Sequence, residues 1–333
     1  SALLMRRWVK IVIIAIVLLA VGAIVCALRW QAWFGVPAEP VWTGETRDFT
    51  FRTFAQDSLP GFCCDKGEWI DTHSPENLEI IVLGDIHNHL QREDYDSLAV
   101  RVPQADAIAQ VGDWLDRGQG YYRQLLLREW AQSALCGLPV ITCPGNHEYS
   151  KGLTKTLSGQ WQDCFPQPSD SIAVPGVFYH IDFPGLRFIV IDSNPLERLV
   201  YLTRTLTWLR TLMNSADGRY IVVMMHHPVL SAGKGRFNSA IYSFFRVALS
   251  QTDLTLCGHD HSYMRYAPFV VLNTAGTPKQ QKSSLAGKEN VVVSDEPVYS
   301  VLSLSAEKDS PLIFRTFRLS DGVRIDSLYV SHH

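Results

Sequence analysis

Apolar runs recur along the chain, separated by polar and glycine-containing stretches. The first, residues 11–28, comprises 18 uncharged residues that are nearly all apolar. As a helix it would extend roughly 27 Å, near the thickness of a bilayer core. Arg6, Arg7 and Lys10 precede it, and Trp8, Trp30 and Trp33 flank it, where indoles favour the water–lipid boundary. The pattern predicts a single transmembrane helix over 11–28. Residues 1–10 are then cytoplasmic, and everything beyond the helix is extracytoplasmic. A cleaved signal peptide is the competing reading, because Ala23 and Ala27 offer small residues near a cleavage site. A buried core helix would be shorter and amphipathic.

Residues 29–76 read as a connector, punctuated by Pro37, Pro40, Pro60 and Gly61. A repeating pattern then begins and marks 77–333 as the folded domain. Short apolar runs at 79–83, 107–111, 139–142, 187–191, 220–225 and 253–256 read as buried strands. Helical patterns fall between several of them, at 93–100, 121–135, 203–214 and 237–250. Strands alternating with helices predict an α/β fold around a largely buried sheet. Runs at 298–305, 312–319 and 323–330 follow without helices. They should form an antiparallel second sheet or extend the first. The polar stretches 150–176 and 274–296 read as loops, the former long enough to be functional.

Composition narrows this picture. With 333 residues, 47% of them hydrophobic, the chain can build a sizeable core. A formal charge of −3 argues against a nucleic-acid partner. The cysteines are Cys26, Cys63, Cys64, Cys136, Cys143, Cys164 and Cys257, and no CxxC pair occurs among them, which argues against a zinc ribbon. Cys143 and Cys257 end apolar runs and read as buried thiols. One disulfide among Cys63, Cys64 and Cys164 is open if the domain faces an oxidising compartment.

The candidate chemistry collects at strand ends. Asp85-Ile86-His87 follows the first predicted strand, Asp113 and Asp116-Arg117-Gly118 the second, and Asn146-His147-Glu148 the third. His226-His227-Pro228 ends the run 220–225, and His259-Asp260-His261 ends the run 253–256. Carboxyl ends of parallel strands line the ligand crevice of an α/β sheet, so these residues should build one polar cluster. In Asp85-x-His87 and His259-x-His261, alternate residues of an extended backbone point the same way. Gly84, Gly112, Gly145 and Gly258 sit where the chain must leave a strand sharply.

This ordered set resembles the calcineurin-like metallophosphoesterase superfamily, over roughly residues 80–275. The resemblance implies an α/β sandwich of two mixed sheets flanked by helices, preceded here by one N-terminal transmembrane helix. It implies two divalent transition-metal ions, and mixed nitrogen and oxygen ligands suit Mn, Fe or Zn. One ion would be held by Asp85, His87, Asp113 and His261. The other would be held by Asp113, Asn146, His226 and His259, with Asp113 bridging. Two dications about 3.5–4 Å apart can share and activate a hydroxide for in-line attack on phosphorus. The resemblance makes His147 the general acid, paired with Asp116, and Arg117 the phosphate grip. His227 reads as orienting or substrate-facing, Glu148 and Asp260 as orienting their neighbours, and His89 as exposed. His180, His332 and His333 have no motif context. Trp161 and Phe165 would either shape a substrate pocket or pack.

The run 257–276 is similar to purple acid phosphatases. His87 and Asp116 depart from their pattern, since a tyrosine ligand stands in them at the place of Asp116. The second motif instead resembles serine/threonine protein phosphatases. The expected function is hydrolysis of a phosphate monoester outside the cytoplasm, with a phosphate-ester substrate as partner. The alternatives are a phosphodiesterase or nucleotide pyrophosphatase, and a non-catalytic metal-binding membrane scaffold.

Overall fold

The computed structural model describes residues 77–116, 129–130, 132–150, 155–167, 170, 172–231, 240–275, 282–283, 285–305, 307 and 309–330. The predicted membrane segment 11–28, the connector 29–76, Arg117, His332 and His333 lie outside them. Among the described residues no helix is long and apolar enough to cross a membrane.

Along the chain the elements are β1 (Asn77–Leu83), α1 (Arg92–Arg101), β2 (Ala107–Gln110), β3 (Val140–Thr142), α2 (Gly159–Cys164), β4 (Phe178–Phe183), β5 (Leu186–Ile191), α3 (Leu199–Asn214), β6 (Tyr220–Met225), α4 (Ala240–Leu249), β7 (Leu254–Cys257), β8 (Tyr263–Tyr266), β9 (Phe269–Val271), β10 (Val292–Ser294), β11 (Val298–Ser305), β12 (Leu312–Arg318) and β13 (Arg324–Val330). Two mixed sheets result. One runs β13-β12-β11-β1-β2-β3, the other β10-β8-β9-β7-β6-β5-β4. In the first, β1, β2 and β3 are parallel. In the second, β5, β6, β7 and β9 are parallel. The late strands extend the first sheet, because β11 pairs antiparallel with β1 along its whole length, from Asn77 opposite Ser305 to Leu83 opposite Tyr299.

Strand alternation sorts the core. Leu186, Phe188 and Val190 of β5 join the cluster that holds Ile80 to Leu83 of β1 and Ile108 of β2. Ile189 and Ile191 of the same strand instead meet Leu202 and Leu209 of α3 and Phe245 of α4. Each strand of this part of the sheet is buried on both faces, which is why its sequence reads as an unbroken apolar run. Helix α1 begins where the Asp94 carboxylate accepts the N–H of Gln91 at 2.9 Å, and it carries Arg101 in its last turn, complementing its dipole at both ends. Its Tyr95 and Leu98 are buried.

The structure departs from the sequence reading in several places. Residues 129–130 are helical but turns begin at 132, so the predicted helix 121–135 ends early. The loop expected over 150–176 contains α2, and that expected over 274–296 contains β10, which pairs with β8. Trp161 and Phe165 are core residues: both are 1% exposed. Their rings lie 5.4 Å apart, and Phe165 lies 5.0 Å from Trp114. Cys164, read as a loop residue, is buried beside them; Cys143, just after β3, and Cys257, at the end of β7, are buried as expected.

Candidate metal centre

The carboxyl ends of β1, β2 and β3 in one sheet meet those of β6 and β7 in the other. Asp85 and His87 follow β1, Asp113 follows β2, and Asn146 and His147 follow β3. His226 follows β6, and His259 and His261 follow β7. The sandwich thereby gathers all seven expected ligand residues. Asp85, His87 and His261 form one group with mutually close ligand atoms. Asp85, Asp113 and His226 form a second, and His87, Asp113 and His147 a third.

Asp113 stands at the junction. Its Oδ2 lies 3.4 Å from His226 Nε2, 3.6 Å from His87 Nε2 and 3.9 Å from His147 Nε2. On one side, the Nε2 atoms of His87 and His261 are 3.2 Å apart, and His261 Nε2 is 3.8 Å from Asp85 Oδ2. On the other, Asn146 Oδ1 lies 3.1 Å from His226 Nε2 and 2.8 Å from His259 Nδ1. Asp85 Oδ2 and Asp113 Oδ2 are buried and receive no hydrogen bond among the described residues. A buried carboxylate oxygen without a donor is costly unless a proton or a cation neutralises it, so both oxygens are candidate cation ligands. The surrounding imidazole nitrogens and the amide oxygen complete a donor set that suits a transition metal. His226 donates its Nδ1–H to the carbonyl of Val111 at 2.9 Å, which leaves the Nε2 lone pair facing the cluster.

Burial, reinforced by the charge of Asp113, pushes the Asp85 carboxyl well above the usual range. Burial acts on Asp113 in the same direction. There the imidazoles of His226, His147 and His87 outweigh it and hold the carboxyl below its ordinary value. Burial lowers His226, which keeps the ring neutral, as a metal ligand must be.

The backbone is bent to make this possible. His87, Asp113, His259 and His261 have φ of 50°, 55°, 73° and 53°, in the left-handed region that side chains seldom adopt. Gly112 has φ of 93°, and a Cβ there would come within 2.8 Å of His226 Nδ1. Gly145 is required for a different reason than a sharp exit from its strand: a Cβ would sit 2.1 Å from Asp113 Oδ1.

One expected pairing takes another form. His147 Nδ1 donates to the main-chain carbonyl of Asp116 at 2.5 Å, while the Asp116 carboxylate lies 3.3 Å from His87 Nδ1. The carboxylate–imidazole pair read from the sequence is therefore replaced by a carbonyl contact, because the turn after β2 aims the Asp116 side chain at His87. His147 also donates its main-chain N–H to Asp113 Oδ1 at 2.9 Å.

The neighbours divide clearly. The Glu148 carboxylate accepts main-chain N–H groups from Gly145, Asp113 and Leu115 at 2.7, 2.9 and 3.1 Å. Asp260 is buried and accepts the Ser231 hydroxyl. His227 stacks on Tyr242, with centroids 5.2 Å apart, and pairs through Nδ1 with Ser193 Oγ at 2.8 Å. It also forms a potential metal group with His226 and His259. His89 is half-buried. His180 is tied to Asp170 at 2.8 Å on β4. The sequence reading overlooked Asp192, Ser193 and Asn194, whose signal was their place at the end of the run 187–191. Asn194 Nδ2 donates to the carbonyl of Pro144 at 3.1 Å and to Asp192 Oδ1 at 3.0 Å, steadying the turn that carries Asn146. Burial pushes Asp192 up to about 6, and Tyr149 donates to its other oxygen at 2.6 Å.

The family model described as calcineurin-like phosphoesterase matches residues 78–263. Among solved structures, the chain is similar to the purple acid phosphatase PPD1 from yellow lupin (Lupinus luteus) seeds. The TM-score is 0.59 and the identity 15%, over 77% of this chain and 54% of that one. The chain thus spans about half the length of the lupin protein. It is also similar to GAP50, the anchor in the inner membrane complex of Plasmodium. There the TM-score is 0.55 and the identity 17%, over 77% of this chain and 89% of that one. No curated protein matches the sequence significantly.

Proposed function

The chain belongs to the calcineurin-like phosphoesterase family, and from that premise we propose that it hydrolyses phosphate monoesters at a dinuclear metal centre. The observation that carries this reading is Asp113 Oδ2, buried without a hydrogen-bond donor and faced by three imidazoles. Asp85, His87, Asp113 and His261 would hold one divalent transition-metal ion, Mn, Fe or Zn. Asp113, Asn146, His226 and His259 would hold the other. Such ions, when bound, acidify water into a nucleophile and neutralise phosphate oxygens.

The chain's own residues do the rest. Asp113 joins the two halves of the site, and the Val111 carbonyl keeps His226 in the tautomer that presents Nε2. His147 is held through Nδ1 by the Asp116 carbonyl, which leaves Nε2 to carry the proton a leaving oxygen needs. Arg117, outside the described residues, is assigned the grip on phosphate from its place in the sequence.

The test is turnover of chromogenic mono- and diesters by the purified protein with Mn²⁺. Faster monoester turnover is expected. Faster diester turnover would move the assignment to a phosphodiesterase or nucleotide pyrophosphatase.

A second reading is a non-catalytic scaffold at a membrane. Its motives are the likeness to GAP50, described as an anchor, and the apolar run 11–28. Hydrolysis is favoured because none of the seven ligand residues is missing. Metal-loaded protein inert across a broad phosphate-ester panel would favour the scaffold. The single-pass placement, with the domain extracytoplasmic, is tested by protease protection in sealed vesicles.

A further inference from the structure

The turns that carry the metal-facing residues after β2 and β3 have buried main-chain N–H groups that no strand satisfies. Three of them, on Gly145, Asp113 and Leu115, end on one carboxylate, that of Glu148, at 2.7, 2.9 and 3.1 Å. Glu148 is fully buried, with Oε2 taking two of these bonds and Oε1 the third. A second bond runs between the same turns in the opposite sense, from the His147 N–H to Asp113 Oδ1 at 2.9 Å. Asp113 is thus fixed at both its main chain and one carboxylate oxygen, which leaves only Oδ2 to face the imidazoles.

We propose that Glu148 is the positioning residue of the metal pair: by clamping the Asp113 and Gly145 main chains, it sets where Asp113 Oδ2 stands between the two ion sites. The inference rests on the dinuclear reading above. A carboxylate suits this task because it accepts at both oxygens and offers no competing donor. Glutamine keeps the shape but turns an amide NH₂ against at least one of the three N–H groups. The turn after β2 must then shift, and Asp113, already at φ of 55°, shifts with it. Aspartate keeps the charge but is one methylene short, so it reaches some of the three donors and not others.

The experiment is a calorimetric titration with Mn²⁺ of the full-length parent, Glu148→Gln and Glu148→Asp, alongside monoester kinetics at saturating Mn²⁺. Glu148→Gln is expected to bind Mn²⁺ about 10–100-fold more weakly, the range seen when groups supporting metal ligands are removed. It should lose kcat with KM little changed, and Glu148→Asp should fall between it and the parent. If Glu148→Gln does not fold, the same intermediate loss of Mn²⁺ affinity in Glu148→Asp supports the proposal, and parental affinity in it overturns the proposal. A folded Glu148→Gln that melts lower but binds Mn²⁺ within twofold of the parent would show a merely structural role. A parent that binds no Mn²⁺ would instead sink the dinuclear reading, and this inference with it.

Discussion

His147 donates from Nδ1 to the main-chain carbonyl of Asp116 across 2.5 Å. A carbonyl can only accept, so the Nδ1–H tautomer is fixed by the backbone and survives any substitution at the Asp116 side chain. The proton for the leaving group then belongs on Nε2. His147→Gln should lower kcat by about 10²–10⁴-fold, the usual worth of a positioned general acid, while Mn²⁺ stoichiometry is unchanged. Esters of acidic phenols, which leave without help, should suffer least. Equal losses for good and poor leaving groups would remove the acid role.

Asp116→Asn separates two readings of that side chain. Its Oδ1 lies 3.3 Å from His87 Nδ1, a charge contact rather than a hydrogen bond, through which it would favour one orientation of the ring. The variant should weaken Mn²⁺ binding about 10–100-fold and leave kcat at saturating Mn²⁺ within a few-fold. A large loss of kcat with unchanged metal affinity would restore the direct pairing with His147.

Asp113→Asn should reduce bound metal from two ions per chain to one at most, measured by elemental analysis, and abolish turnover. The amide cannot supply charge to both sides of the cluster at once. Full activity in this variant would end the dinuclear assignment.

A fourth expectation concerns stability away from the centre. Arg187 grips the buried Asp182 carboxylate through Nε at 2.6 Å and Nη2 at 2.5 Å, and its Nη1 reaches the Leu212 carbonyl at 2.7 Å. Asp182→Asn strands a buried guanidinium and should cost about 3 kcal/mol, read by urea denaturation. Burial pushes the Asp182 carboxyl up, but Arg187 outweighs it and holds the group below its ordinary value. Its stabilisation is therefore present above the normal carboxylate range and is lost as pH falls through the lowered folded value. The parent should weaken on acidification through that window, and the variant should show a flatter acid limb.

Much of this was legible in the sequence because strands buried on both faces leave long apolar runs, and ligand residues fall directly after them. That rule placed Asp85, Asp113, Asn146, His226 and His259 in one cluster, while their assignment to metal ions is implied by the family resemblance. Short edge elements were missed for the same reason in reverse. Val292–Ser294 is half-buried and only three residues long, too little for a period to show. Trp161 and Phe165 lay in a polar neighbourhood, and nothing local announced that Trp161 packs on Phe165 and Phe165 on Trp114. The Asp116 contact escaped because spacing names a side chain but cannot say whether its carboxylate or its carbonyl makes the bond. The three N–H groups on Glu148 come from turns 30 or so residues apart in sequence, and only the folded chain brings them to one point.

Asp85, Asp113 and Asn146 hang from one sheet, and His226, His259 and His261 from the other. Any cation seated among them is also a rivet through both layers. Stripping it with a chelator should slacken the sandwich as well as silence the chemistry, so heat resistance and catalysis ought to rise and fall together with the metal supply.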